Sequence, residues 1–374
     1  MALEHIAVRS AADSKTDIQR AAEALAAGAL VAFPTETVYG LAANAANAKS
    51  VERLREVKGR AAQQPFTVHI GRREDSAKFV PQLSPLAQRF IRKGWPGPLT
   101  LVLPVDDPSK APVHPTLSAP GREAVYADGT VGLRFPDHPI AVALLTAIDA
   151  PIIASSANRA GQDPPHDADA VRSALGDDID LLLDAGQSRY KKGSTIVAVD
   201  GSGYRLLREG VWDARTIRRF ATLNFLFVCT GNTCRSPMAE GIFRQMVAER
   251  LGCQDSDLPE RGIQVQSAGT MALGGGPAAR EAIEVCRRRG IDISGHRARG
   301  LAMDLIHPAD YIYTMGAHHV EVVRSIAPAD VAKAVALDPE EDIADPIGGT
   351  IDDYERAAEK IEAALRKRLE EVAL

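Results

Sequence analysis

A short apolar run at residues 225–228 leads straight into Cys229-Thr230-Gly231-Asn232-Thr233-Cys234-Arg235-Ser236, after which Ile242, Phe243, Met246 and Leu251 fall at helical spacing. A strand, a tight loop and a helix in immediate succession form the opening unit of a parallel α/β domain. Pro237 stands near the first helical position, where its missing N–H costs little. In that setting the loop N–H groups can turn inward around an anion, and the helix dipole adds attraction. Five residues separate Cys229 from Arg235, enough for sulfur and guanidinium to meet one tetrahedral oxyanion. Arginine can hold two of its oxygens in a fork. The same donors favour the thiolate of Cys229, a nucleophile, and Ser236 can donate a hydrogen bond to the sulfur as it leaves.

The rest of the second half continues the alternating pattern, with helical periodicity at 278–289 and 354–372. Asp345 precedes Pro346-Ile347-Gly348-Gly349, a Pro/Gly-shaped loop that taken alone reads as a turn. Cys234 has two readings, a partner that condenses with oxidised Cys229 into a reversible disulfide or a small buried residue in a tight loop. His318-His319 reads as a solvated pair, because neighbours on a helix point in different directions, and His296 as structural.

At 374 residues the chain exceeds one ordinary core, so two domains are expected. The arginine-rich stretch with Arg215, Arg218 and Arg219 marks the boundary, giving domains at 1–213 and 224–374 with a linker at 214–223, read as a charged bridging helix. A formal charge of −5 gives no general attraction to nucleic acid. The four cysteines all lie in the second half, unlike a disulfide scaffold, and point to a reducing cytoplasm. No apolar run approaches the roughly 20 residues of a membrane helix, and no targeting signal is read. Cytoplasmic location and no membrane partner are the expectations.

The first half alternates helix signals (17–27, ending at Gly28; Val51, Leu54 and Val57 before Gly59) with strand-like runs at 29–34, 66–70, 99–103, 131–135, 152–154, 181–183, 195–199 and 204–207. So many strands with fewer helices predict an α/β domain around a large mixed twisted sheet. No Gly-x-x-x-x-Gly-Lys-Ser/Thr loop occurs, which argues against an ordinary P-loop nucleotidase.

Residues 228–240 closely resemble the low-molecular-weight protein phosphatases. Further matches are Ser267-Ala268-Gly269-Thr270, the stretch 290–299, the run 309–315 and Asp345-Pro346. The resemblance implies a doubly wound fold with a central parallel sheet and no cofactor. It also implies Cys229 as nucleophile, Arg235 as phosphate clamp, Asp345 as acid then base, and Asn232 as a loop-shaping residue, with Thr230, Gly231, Thr233, Cys234 and Ser236 completing the phosphate loop. Tyrosine-directed members carry a bulky aliphatic residue where Thr233 stands and aromatic residues after the Asp-Pro. Thr233 with Ile347-Gly348-Gly349-Thr350-Ile351-Asp352 looks like the protein-arginine phosphatase branch, with tyrosine phosphatase as the alternative. An arsenate reductase would need a further cysteine after Cys286, and there is none.

The first half resembles the YrdC-like threonylcarbamoyl-AMP synthases through Phe33-Pro34-Thr35-Glu36-Thr37-Val38-Tyr39-Gly40-Leu41, Lys58-Gly59-Arg60, Thr67-Val68-His69-Ile70, Trp95-Pro96-Gly97-Pro98-Leu99-Thr100, Ser156-Ala157-Asn158 and Ser194-Thr195-Ile196-Val197. The resemblance implies that L-threonine, bicarbonate and ATP with Mg²⁺ are joined into threonylcarbamoyl-AMP on the way to modified tRNA adenosine. By the same analogy Lys58, Arg60, Thr130, Ser156, Asn158 and Arg208 bind ATP, while Thr37, His69, Arg134 and Ser194 bind threonine. No resident metal site is expected. Phosphorylated proteins and tRNA or tRNA-modification proteins are the implied partners. The alternative makes this half only an RNA- or nucleotide-binding module.

Overall fold

The computed structural model describes residues 3–59, 64–201 and 203–374. It divides into two compact units, Met1–Ala221 and Thr222–Leu374. The strands of the first unit are β1 Glu4–Ala7, β2 Val31–Phe33, β3 Gly40–Asn44, β4 Thr67–His69, β5 Leu99–Pro104, β6 Tyr126–Ala127, β7 Thr130–Arg134, β8 Ile152–Ser156, β9 Leu181–Asp184, β10 Thr195–Val199 and β11 Tyr204–Arg208. They pair in the order β1-β9-β2-β3-β8-β4-β7-β5-β10-β11, with β6 on β7. Both parallel pairs (β1 with β9, β4 with β7) and antiparallel pairs (β2 with β3, β5 with β7) occur, so the sheet is mixed as expected.

Both faces of this sheet are covered. Leu30, Ala32, Leu41 and Ala43 join one core cluster, while the alternate residues Val31, Phe33 and Ala42 join another. Strand side chains point alternately to opposite faces, so a strand clothed on both sides reads as a continuous apolar run. The helix Lys15–Ala27 sends Ile18, Ala21, Ala22 and Leu25 into the second cluster and ends at Gly28 with φ 108°. That left-handed cap is open to glycine at little cost.

Local pattern misses β3. Its sequence Gly-Leu-Ala-Ala-Asn has weak strand propensity, yet all five residues are buried between β2 and β8. Residues 106–128 include the helix Ala119–Val125. The 214–223 segment contains the helix Ala214–Ala221, whose Ile217 and Ala221 lie in the first unit's core. Arg89 fastens its end by donating from Nη1 to the Ala221 carbonyl at 2.6 Å. The arginines at 215, 218 and 219 occupy its exposed positions.

The second unit is a parallel sheet, β12 Leu223–Cys229, β13 Ile263–Gly269, β14 Tyr311–Thr314 and β15 Ala334–Ala336, in the order β13-β12-β14-β15. Phe225 and Phe227 face one core cluster and Leu226 and Val228 the other, the doubly wound arrangement. Chain order reverses beside β12, and in such sheets ligands bind outside the carboxyl ends of the strands at that point. Cys229 is the last residue of β12. Among the described residues no helix is long and apolar enough to cross a membrane.

Candidate active sites

The loop between β12 and the helix Arg235–Leu251 is built around Asn232. Its φ of 54° is left-handed, a conformation asparagine tolerates. Its backbone N–H donates to Cys229 Sγ at 3.2 Å. Its side-chain amide donates to Ser236 Oγ and Ser267 Oγ, both at 2.9 Å, while Oδ1 accepts from the Arg299 N–H at 2.9 Å. His296 Nε2 lies 2.8 Å from the Asn232 carbonyl. These bonds use both side-chain donors and fix the loop's curl, with His296 bonded to the loop backbone. Ser267 in turn donates to Glu240 at 2.6 Å. At Gly269 a Cβ would stand 2.6 Å from the Thr230 carbonyl oxygen and 2.8 Å from Asn232 N, so only glycine lets β13 pass this close.

Cys229 sits at the base of the loop, 2% exposed, with Sγ 3.0 Å from Ser236 Oγ. Arg235 begins the helix and runs across the loop. It donates to the Ile343 carbonyl at 3.0 Å and to Thr230 Oγ1 at 3.4 Å, and it forms an ion pair with Asp345. The structure thus brings Asp345, 110 residues further along the chain, to the loop that holds Cys229 and Arg235. Asp345 Oδ1 also accepts from the Ile347 N–H at 3.3 Å, a turn that Pro346 and Gly348 shape. Cys234 is buried with a free thiol, Sγ 3.3 Å from Tyr354 OH, and burial followed by this contact raises the tyrosine hydroxyl above its ordinary range.

The expectation of a solvated His318-His319 pair is corrected. His318 is exposed, but His319 is fully buried with Nε2 3.0 Å from Thr230 Oγ1. In the helix Ala317–Ile326 residue 319 shares its inward face with Val323, four positions on, while residue 318 turns outward.

In the first unit a cavity of about 150 Å³ opens at the strand ends and is lined by His69, Arg134, Ser156, Ser194 and Arg208 of the expected residues. Arg134, at the end of β7, is 6% exposed and donates from Nη2 to Glu36 Oε1 at 2.9 Å, Thr37 Oγ1 at 2.7 Å and Thr35 Oγ1 at 3.4 Å. Arg208 donates to the Ser194 carbonyl at 2.8 Å and to Ser194 Oγ at 3.2 Å, and Ser194 Oγ lies 2.9 Å from Thr100 Oγ1. Burial, then the Arg134 charge, press the Arg208 guanidinium below its usual value. Two cations around one small cavity suit a ligand carrying anionic groups.

Not every expected residue lines this cavity. Lys58 donates to the Ser156 carbonyl at 2.6 Å, to Asn158 Oδ1 at 3.2 Å and to the Asn158 carbonyl, so it organises the turn after β8. Asn158 spends its side-chain donors on the Arg159 and Gln162 carbonyls, at 2.9 and 2.7 Å. Thr130 begins β7, about 13 Å along the strand from Arg134. Arg60 lies outside the described residues. Sequence reading left Glu36 and Thr100 out of the site; their only signal was membership of the quoted stretches.

His69 is 7% exposed, and burial followed by the Arg134 charge pushes its pKa down to about 3 from 6.5. Between those values the unfolded chain binds the proton and the folded chain does not. Stability therefore falls as pH drops from about 6.5 towards 3, by up to about 1.4 kcal/mol per pH unit. His138, also lowered by burial, adds the same sign. Both tryptophans, Trp95 and Trp212, belong to the first unit. Denaturant unfolding followed by tryptophan emission should show this slope, and His69→Gln should flatten it.

Residues 23–210 match the Sua5-YciO-YrdC family profile, described as Telomere recombination, which covers half of the chain. The chain belongs to that family. Residues 224–373 match the profile described as Low molecular weight phosphotyrosine protein phosphatase, so a phosphatase domain follows the Sua5-YrdC domain. A threonylcarbamoyl-AMP synthase of Pyrococcus abyssi is 38% identical over 193 residues, spanning 52% of this chain and 54% of that protein. A solved Sua5 structure from P. abyssi aligns with a TM-score of 0.51 at 26% identity, covering 77% of this chain and 90% of that one. A solved low-molecular-weight protein tyrosine phosphatase from T. tengcongensis is 36% identical, with a TM-score of 0.37, covering 40% of this chain and 100% of that one. The cavity with Arg134 and Arg208 lies within the Sua5-YrdC match, and the Cys229 loop within the phosphatase match.

Proposed function

We propose that the chain is a bifunctional enzyme. Its Sua5-YrdC domain joins L-threonine, bicarbonate and ATP with its Mg²⁺ into threonylcarbamoyl-AMP, releasing pyrophosphate and serving tRNA adenosine modification. Its phosphatase domain removes the phosphoryl group from phosphoarginine in proteins.

For the second domain one observation carries the reading: a thiol in contact with Ser236 Oγ and the Asn232 N–H, on a loop whose arginine is paired with an exposed-side carboxylate. Cys229 attacks phosphorus as the thiolate, forming the S–P bond while the P–N bond of phosphoarginine breaks. Asp345, protonated, gives its proton to the departing guanidine nitrogen. Arg235 and the loop N–H groups hold the equatorial oxygens as charge redistributes. In the second step Asp345 as carboxylate takes a proton from water, the water oxygen attacks phosphorus, and the S–P bond breaks. The Ser236 hydroxyl stabilises the sulfur anion that leaves.

Phosphoarginine as substrate is supported by the residues around this machinery. Thr233 places a hydroxyl in the loop, and Ile347 is 68% exposed with glycines after it, so residues 347–349 offer no aromatic surface for stacking a phosphotyrosine ring. A panel of phosphoarginine and phosphotyrosine substrates tests this. Phosphoarginine should be preferred, and Thr233→Ile should move kcat/KM towards phosphotyrosine by about tenfold or more. Equal turnover of both by the wild type would defeat the substrate assignment.

For the first domain the supporting observation is the convergence of Arg134, Arg208, Ser194 and neutral His69 on one cavity. The two guanidiniums can neutralise the threonine carboxylate and nucleotide phosphates, and the reaction then depends on alignment rather than on a covalent nucleophile. Incubating the full chain with ATP, bicarbonate and threonine should release pyrophosphate in a threonine-dependent manner. Release indifferent to threonine, or none, would overturn the synthase reading.

A further inference from the structure

We propose that His319 is a positioning residue that aims the phosphoryl-binding Arg235 through the hydroxyl of Thr230, an inference that rests on the phosphatase reading of this loop. The helix bearing His319 follows β14, a neighbour of β12, and turns His319 inward beneath the loop. Its Nε2 is 3.0 Å from Thr230 Oγ1, and the same oxygen is 3.4 Å from Arg235 Nη2.

The donor inventory fixes the first link of this chain. A guanidinium only donates, so the Thr230 oxygen accepts from Arg235 and its hydroxyl proton must go elsewhere. In the proposed arrangement His319 Nε2, 3.0 Å away, takes it, with the ring neutral and its proton on Nδ1. Burial, followed by the His318 and Arg235 charges, lowers the His319 pKa to about 4, although Asp342 and the nearby Gly316 backbone pull the other way. Nδ1 itself is buried with no good hydrogen-bond partner among the described residues. An unsatisfied buried nitrogen is a cost that an apolar residue of similar size would avoid. The fully buried imidazole is thus accounted for by what its other nitrogen does.

The reaction gives the chain a purpose. Arg235 is paired with Asp345, yet Asp345 must turn to the leaving group and Arg235 to the phosphoryl oxygens. Once that pair opens, the Ile343 carbonyl and Thr230 Oγ1 are the acceptors that keep the guanidinium aimed. Without His319, the Thr230 hydroxyl is free to rotate its proton towards Arg235 and repel it.

The test is a double-mutant cycle in the full chain with p-nitrophenyl phosphate, each variant first checked by thermal unfolding. His319→Leu and Thr230→Val should each lower kcat by about tenfold with little change in KM, because the guanidinium matters most as charge develops. The double variant should be no worse than the poorer single one, and His319→Gln, which can present an acceptor, should recover most of the loss. Additive losses of about a hundredfold, or His319→Leu within twofold of wild type, would overturn the proposal. Should His319→Leu fail to fold, Thr230→Val decides, and wild-type activity there overturns it. Wild-type protein lacking Cys229-dependent turnover would instead sink the phosphatase reading, and this inference with it.

Discussion

Cys229→Ser should lose phosphatase turnover by about four to six orders of magnitude while leaving the second unit folded. The sulfur is the group that forms and breaks the bond to phosphorus, and a serine hydroxyl at the same place is scarcely ionised at neutral pH. The exchange is nearly isosteric, so the contacts with Ser236 and the Asn232 N–H have a counterpart in the variant. The measurement is single-turnover hydrolysis of p-nitrophenyl phosphate alongside far-UV circular dichroism. Residual activity above about one per cent in a cleanly folded variant would mean that another nucleophile operates. Threonine-dependent pyrophosphate release should be untouched, because Cys229 is in the other unit.

Arg134→Met should remove threonine-dependent pyrophosphate release and destabilise the first unit by about 3–5 kcal/mol. Two consequences share one cause. Arg134 pairs with Glu36 at 2.9 Å, with side chains only 8% and 2% exposed, so removing the cation leaves a carboxylate buried without its counter-charge. Glu36 Oε2 already has no hydrogen-bond partner among the described residues. Adding Glu36→Gln should recover much of the stability and none of the activity, since the guanidinium facing the cavity is still missing. Tryptophan emission reads the first unit alone, through Trp95 and Trp212. If Arg134→Met unfolds at the wild-type denaturant midpoint, the buried pair is not a structural partner. If it retains threonine dependence, the assignment of the cavity fails.

Much of the architecture was legible before any coordinates. The helix ending at Gly28 and the strand run before Pro34 follow from spacing and a glycine cap, and the structure has both. The Cys229 loop was legible because its parts are contiguous: a strand end at Cys229, five residues and a helix start at Arg235. β3 was not, because a Gly-Leu-Ala-Ala-Asn segment becomes a strand only when β2 and β8 offer edges on both sides. Nothing in the local sequence names the partner of Glu36, which is Arg134, brought beside it by β7 from almost a hundred residues away.

The sequence by itself determined two α/β domains, a thiol-bearing loop between strand and helix, and a set of polar residues at strand ends, since each is written in local spacing and residue type. The tertiary structure alone decided which of those polar residues share a cavity, that Lys58 and Asn158 brace a turn, that Asp345 pairs with Arg235, and that one of two adjacent histidines lies buried under the loop. The physical reason is that hydrogen bonding and burial are pairwise and long-range. A side chain's chemistry is carried by its residue type, but its partners exist only once distant strands have packed.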